Sequence, residues 1–380
     1  MNNAVIIAYG RSACSRANKG RLAGVHPVDY AAEVVKGVKD RAPELDVSDI
    51  EDVITGCALP RKQADYNMSR LIVNRAQFPD SVPAQTVNRF CSSGLTTIAL
   101  GANAIMAGQM EVVCSGGVED LTDVFDPYPE EYMNRWIAEN YEGGYMSMGE
   151  TAERVADKYD ISRERMEEYA IESHNKAFAA QSAEKLAPSI IPVTGADGEV
   201  FDADEGIRPN SDPAKLASME PVFRENGRVT AATSSQVTDG ASYAILASEE
   251  KAAQIGAKPL ARFLGFSVAG CDPVIMGMGP VYAIPKVMKL TGLTLADMDV
   301  IELNEAFAVQ VLACIDELGL PENKINPYGG AIALGHPMGA TGTIMTCKAL
   351  DYLRDTGGRY ALITMCIGGG MGAAGIFELL

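Results

Sequence analysis

The sequence predicts an α/β fold of two similar halves with a loop-rich insertion, and three observations carry that reading. Apolar runs of strand length alternate with segments of helical spacing along residues 4–117. The same alternation resumes in the same order from residue 259 to the end. The stretch between, 118–238, is instead rich in Pro, Asp, Glu and Tyr. Alternating strands and helices build a sheet covered by helices, and a repeated order within one chain reads as duplicated units. The expected divisions are a first half over 1–117, completed by about 239–250, an inserted loop domain over 118–238, and a second half over 259–380.

Taken in order, residues 4–9 form a strand candidate, 28–38 a helix and 52–56 a strand. Leu95, Ile98, Ala99, Ala102, Ile105 and Met106 recur at helical spacing, and Gly108 suits the helix end. Val112-Val113-Cys114 is strand-like and runs into Gly116-Gly117. In the insertion, helices are expected near 151–159, where Ala152, Val155, Ala156 and Tyr159 share a face, and near 163–184. The rest of it, with Pro188, Pro192, Pro209, Pro213 and Pro221, reads as loop lying over the sheet, a usual place for ligand contacts. In the second half, 260–266 is strand-like, 281–289 helical, 299–303 a strand and 305–318 a helix. A longer helix follows His336, and strands are expected over 360–366 and 373–380. Cys91 and His336 each stand just before the corresponding long helix of their half.

Bulk properties exclude several classes. A chain of 380 residues that is 47% hydrophobic can bury a large core. A net charge of -18 argues against a nucleic-acid partner, which a basic face would attract. An anionic ligand would have to be met by arginines and lysines gathered locally. No apolar run approaches the roughly 20 residues needed to cross a bilayer, so no membrane partner is expected. Residues 1–3 run straight into the first strand candidate without a basic region or cleavage site, unlike a signal peptide. Eight irregularly spaced cysteines with no CxxC pair suggest neither a zinc site nor a disulfide framework, and point to a reducing, cytoplasmic compartment. Cys57, Cys114, Cys271, Cys314 and Cys347 lie among apolar neighbours and are expected as small buried hydrophobes.

Three other groups look chemical. Cys91, in Asn88-Arg89-Phe90-Cys91-Ser92-Ser93-Gly94, is expected to open a helix after a strand. A helix N-terminus favours thiolate and offers N–H groups to an oxyanion. Cys366 ends an apolar strand and precedes Gly368-Gly369-Gly370, which let a ligand approach the backbone. Of three histidines, His336 lies between Gly335 and Pro337 in a glycine-rich run. His174 is expected to be solvated in a polar helix, and His26, before Pro27, is expected to have no role. Asn304, at a strand end, could donate to a carbonyl or orient a water, or could simply cap a helix. Two cysteines and one histidine, each on a glycine-shaped turn, look like an active site: a nucleophile, its base and a second proton carrier.

Five segments, in order and spacing, resemble the signatures of thiolases. They are Asn88-Arg89-Phe90-Cys91-Ser92-Ser93-Gly94, Gly116-Gly117-Val118-Glu119-Asp120, Asn304-Glu305-Ala306-Phe307-Ala308, the Gly329-to-Pro337 run, and Cys366-Ile367-Gly368-Gly369-Gly370. Met148-Gly149-Glu150-Thr151, Asp239-Gly240-Ala241 and Met276-Gly277-Met278-Gly279-Pro280 match as well. The resemblance implies two βαβαβαββ halves in a five-layer α-β-α-β-α core, with the insertion as the family's loop domain. It implies Cys91 as the acylated nucleophile, His336 as its base and Cys366 as the second acid/base. Asn304 would hold a water that forms one oxyanion hole with His336; the N–H groups of Cys91 and Gly368 would form the other. Ser235, Met148 and Met276 would lie on the substrate and CoA side. No permanently bound cofactor is implied, CoA being a co-substrate, and a homodimer or homotetramer is implied.

Within the family, Ser147-Met148-Gly149 departs from the His-Met-Gly of many biosynthetic members. Cys91-Ser92-Ser93 and Gly339-Ala340-Thr341-Gly342 look more like degradative 3-ketoacyl-CoA thiolases, the acetyl-CoA C-acyltransferases of fatty acid β-oxidation. The alternative is a biosynthetic acetoacetyl-CoA thiolase condensing two acetyl-CoA. Glu220 stands where some members carry a basic residue near the CoA adenine, leaving Arg208, Lys215 and Arg224 as candidates for nucleotide contacts.

Overall fold

The computed structural model describes residues 2–380. The first half begins with β1 (Ala4–Arg11), α1 (Pro27–Asp40), β2 (Asp52–Gly56), α2 (Met68–Arg75) and β3 (Ala84–Val87). It continues through α3 (Ser93–Met106) and β4 (Val112–Glu119), and ends with β5 (Thr238–Ser248) after the insertion. The insertion carries α4 (Met148–Lys158) and α5 (Arg163–Ser182). The second half runs β6 (Ala261–Gly270), α6 (Gly279–Thr291), β7 (Val300–Leu303), α7 (Ala308–Leu318), α8 (Met338–Thr356), β8 (Tyr360–Ile367) and β9 (Met371–Leu379).

The strands pair in the order β7-β8-β9-β6-β1-β5-β4-β2-β3. The two half-sheets meet only where Val5 faces Arg262 and Ile6 faces Ala261. Each side mirrors the other: parallel outer strands (β2 with β4, β7 with β8), then antiparallel inner ones. The partner that β3 provides for β2 is reduced, in the second half, to a single bridge between Ile301 and Ile325.

Side-chain alternation along the strands distributes them among three cores. Val5 and Ile7 of β1 join α1 and α2 outside the first half-sheet. Ala4 and Ile6 face a middle core with Leu95 and Ile98 of α3, Leu350 and Leu353 of α8, and Ile363 and Met365 of β8. Ile301, Leu362 and Ile376 of the second half-sheet meet α6, α7 and α4 in the third. Helices therefore cover both sheets outside and fill the space between them, giving the five layers. Strands buried on both faces read as continuous apolar runs, which is why 360–366 shows no polar alternation.

The structure alters several expectations. The helix expected from residue 305 starts at Ala308, with Phe307 at its N-cap, because the preceding residues are held extended by a bridge between Ser234 and Phe307. The strand Ala84–Val87 and the helix Met68–Arg75 were not expected: the strand is an edge strand, only partly buried and without an apolar run, whereas the helix buries Met68, Ile72 and Val73. His174 is buried rather than solvated: its Nδ1 accepts from the Arg208 N–H at 3.1 Å, and burial pushes its pKa down to about 4. His26 has a structural task, capping α1 by accepting from Val28 N–H at 3.2 Å. Cys57, Cys114, Cys314 and Cys347 are buried, but Cys271 is only half-buried, and all eight cysteines are free thiols. Among the described residues no helix is long and apolar enough to cross a membrane.

Candidate active site

Cys91 lies in a tight 3-10 turn, Phe90–Ser92, between β3 and α3, one step before the helix that the sequence led us to expect it to open. Phe90 has φ +43 and is held in that turn on both sides. Asn88 accepts from its N–H at 2.8 Å, and its carbonyl accepts from the Ser93 hydroxyl at 2.7 Å. The turn packs on β8 and α8. Cys91 itself is 6% exposed while Phe90, beside it, is 40% exposed, so the thiol lies at the floor of an accessible surface.

The thiol is not acidified. Burial pushes its pKa up to about 11, although N–H groups of Gly368 and of Cys91 itself bond the sulfur and pull the other way. The expected thiolate at rest is thereby corrected: burial favours the neutral thiol, and a thiol in that state would need a base to act as a nucleophile.

His336 has the charge state that such a base requires. Burial alone pushes its pKa down to about 4, so the imidazole is uncharged at neutral pH. Its tautomer follows from Thr341. The Thr341 hydroxyl donates to the Pro337 carbonyl at 2.9 Å, so its oxygen receives the Nδ1–H of His336 at 2.7 Å. Nε2 is then the basic nitrogen, with the Asn304 amide 3.3 Å from it. Asn304 is not a helix cap: its backbone N–H bonds Thr364 at 3.0 Å, and its side chain reaches the histidine.

Cys366 is the last residue but one of β8 and completely buried. Its pKa is raised well above the ordinary thiol value, by burial first and then by the nearby Cys91. After it the chain turns through Gly369 and Gly370, at φ +81 and +85, where a β-carbon on Gly370 would lie 2.5 Å from the Cys271 carbonyl. Gly368 faces Phe90 and Met148: a β-carbon there would lie 3.4 Å from the Met148 sulfur. Gly368 thus meets Cys91, Phe90 and Met148, with Cys366 near Cys91, while Asn304 and His336 meet each other.

The remaining predicted contacts are less central. Ser235 is half-buried, and its N–H bonds the Ala306 carbonyl at 2.9 Å, beside the Asn304 turn. Met276 is 2% exposed within the outer core of the second half. Of the basic candidates, Arg224 is engaged by Asp157 at 2.7 Å.

Two buried carboxylates missed in the sequence hold the His336 loop from either end. Glu119, at the end of β4, accepts from Gly339 N–H at 2.7 Å, Ala58 N–H at 2.9 Å and Leu59 N–H at 3.0 Å. Burial nevertheless raises its pKa to about 7. Glu305 accepts from Tyr169 at 2.9 Å, Ser173 at 2.7 Å, Asn326 at 2.9 Å and the Ile332 N–H at 3.1 Å. Both acids occur inside quoted motifs, Gly116-Gly117-Val118-Glu119-Asp120 and Asn304-Glu305-Ala306-Phe307, and that position was the available signal. The halves touch there backbone to backbone: a β-carbon on Gly117 would lie 1.9 Å from the Gly339 carbonyl oxygen.

Sequence and fold both have known counterparts. The family model for the N-terminal domain of thiolase matches residues 4–250, and that for the C-terminal domain matches 257–379. A 3-ketoacyl-CoA thiolase of Bacillus subtilis is 44% identical over 391 residues, covering 100% of both chains. One from Yersinia enterocolitica is 41% identical over 389 residues, again covering 100% of both. Among solved structures, the dimeric peroxisomal thiolase of Saccharomyces cerevisiae aligns with TM-score 0.94 at 38% identity, covering 100% of this chain and 98% of that one. The acetyl-CoA acetyltransferase of Bacillus anthracis aligns with TM-score 0.93 at 36% identity, covering 100% and 99%. With both family models matched in sequence along nearly its whole length, and the fold shared, the chain belongs to the thiolase family.

Proposed function

We propose that the chain is a 3-ketoacyl-CoA thiolase, an acyltransferase that cleaves 3-ketoacyl-CoA with CoA to acetyl-CoA and a shortened acyl-CoA through an acyl-Cys91 intermediate. What supports this reading is a buried thiol with a second thiol near it, and a neutral histidine of defined tautomer beside Asn304, in a chain whose full-length relatives bear that name. His336 Nε2 takes the Cys91 proton as sulfur attacks the 3-keto carbon; the imidazolium so formed can then donate to the developing oxyanion, alongside a water held by Asn304. The N–H groups of Cys91 and Gly368 serve the thioester oxygen. When the C2–C3 bond breaks, Cys366 protonates the acetyl-CoA enolate, then takes the thiol proton of the incoming CoA, which releases the acyl group from Cys91. CoA and acyl-CoA are substrates in this scheme, and no resident cofactor enters it.

Ser235, Met148 and the insertion over 118–238 are read as the CoA side of the site, and the working form as a cytoplasmic homodimer or homotetramer. Condensation of two acetyl-CoA is the disfavoured direction: relatives at 44% and 41% identity carry the degradative name. Incubation with an acyl-CoA followed by peptide mass mapping is expected to place the acyl group on Cys91. Acylation of any other cysteine would sink the assignment. In parallel, thiolysis is expected to proceed with 3-ketoacyl-CoAs longer than acetoacetyl-CoA; cleavage of acetoacetyl-CoA alone would favour the biosynthetic reading.

A further inference from the structure

A small cavity of about 20 Å³ lies between β7 and α8, lined in part by Asn304 and Thr341, the two side chains beside the His336 ring nitrogens. From β7 and the turn after it come Glu302 and Asn304, two residues apart and so on one side of the strand. From α8 come Thr341, Ile344, Met345 and Lys348, spaced along one helical face. Every one of these side chains is buried.

The polar groups there are incompletely matched. Lys348 and Glu302 form an ion pair at 3.0 Å with side chains 3% and 2% exposed. Lys348 also donates to the Gly329 carbonyl, which uses two of its three N–H bonds. The second carboxylate oxygen of Glu302, Oε1, has no protein partner among the described residues. An unmatched carboxylate oxygen in so buried a place is costly. Thr341, which already accepts from His336 and donates to Pro337, keeps one lone pair, and the Asn304 carbonyl oxygen is uncommitted. A cavity that can admit one water probe, lined by two to four polar groups, is what an internal water requires.

We propose that this cavity binds one internal water molecule, accepting from Lys348 and donating to Glu302 Oε1 and to Asn304 or Thr341, and that Glu302 and Lys348 thereby act as a positioning pair for Asn304 and His336. The water would tie the end of β7 to α8 at the two side chains that hold the imidazole, one at each nitrogen. Glu302 and Lys348 touch no reacting atom. Their effect on turnover rests on the thiolase reading above; the water site does not.

Two measurements test the two parts separately. A high-resolution crystal structure of the full chain is expected to show one ordered water within hydrogen-bond distance of Glu302 Oε1 and Lys348 Nζ; a dry or collapsed cavity overturns the site. Because removing one partner would strand a buried charge and endanger folding, the kinetic test uses the double variant Glu302→Gln/Lys348→Met, with Asn304→Ala as reference. Loss of positioning is expected to lower kcat for thiolysis roughly tenfold to a hundredfold, with KM for the 3-ketoacyl-CoA within about twofold. Exchange of the acetyl-CoA methyl protons with deuterated solvent should fall in parallel. A double variant that melts earlier yet keeps wild-type kcat would show a merely structural pair and overturn the positioning role. If Asn304→Ala itself keeps full turnover, the role of Asn304 fails and the positioning claim with it, while the crystallographic result still decides the water site.

Discussion

The turn before α3 and the loop before α8 occupy equivalent places in the two halves, yet they are built in opposite ways. The backbone of the Cys91 turn is held from close by, through Asn88 and Ser93, three residues or fewer away, and the turn borders solvent through Phe90. The His336 loop is held from afar, by Glu119 of the first half and by Glu305, with Ser173 and Tyr169 of the insertion bonded to the latter. Burial acts on both groups, and in both it favours the uncharged form: the thiol rises to about 11 and the imidazole falls to about 4. Duplication of the fold supplied two equivalent positions. Different residues there make one kind of environment hold a neutral thiol in one half and a neutral imidazole in the other.

The comparison can be broken at either end. His336→Ala removes the acceptor and one oxyanion donor, and turnover is expected to fall by about 10²–10³; a variant retaining more than about a tenth of wild-type kcat would make the histidine structural. Gly117→Ala attacks the contact between the halves instead. Its new methyl would collide with the Gly339 carbonyl, and a shift of the His336 loop by about 1 Å is expected to cost roughly 10²-fold in kcat. Unchanged kinetics in a folded Gly117→Ala protein would show that the loop is not set by this contact.

The pair's protonation can be read from pH. With His336 at about 4 and Cys91 at about 11, the rate of Cys91 acylation by acyl-CoA is expected to be flat from about pH 5 to pH 10 and to fall only as pH drops through about 4, where the imidazole gains a proton. An inflection near the ordinary histidine value would contradict the burial argument. The smallest effect is on stability. Glu119 keeps its proton up to about 7 when folded, against an ordinary value of 4.5. Its favourable share is therefore complete below the ordinary value and is lost as pH rises through about 7. Glu119→Gln should flatten the fall in Tm between about pH 5 and pH 8 that this group contributes, and an unaltered slope would show that another acid causes it.

Much of this was legible in the chain. Asp52–Gly56 is a strand with the bounds its residues suggested, and α3 follows the spacing of Leu95, Ile98, Ala102 and Ile105. Periodicity carries such information because a residue's face is fixed by its element's own geometry. Cys91, His336 and Cys366 were singled out by the glycines beside them, which mark backbone that must turn sharply or pass close to something, and Asn304 by its place at a strand end. Elements without an apolar pattern, such as Ala84–Val87, were not visible, since their stability comes from a neighbouring strand.

Local order, the two-half repeat and the choice of candidate reactive side chains thus came from the sequence itself. Tertiary structure alone decided their chemical state: that Cys91 rests as a thiol, that His336 presents Nε2 because Thr341 takes Nδ1, and that Glu119 and Glu305 clamp the loop from 220 and 27 residues away. Desolvation and hydrogen-bond partners depend on what the rest of the chain brings to a point in space, and no local pattern of residues encodes that.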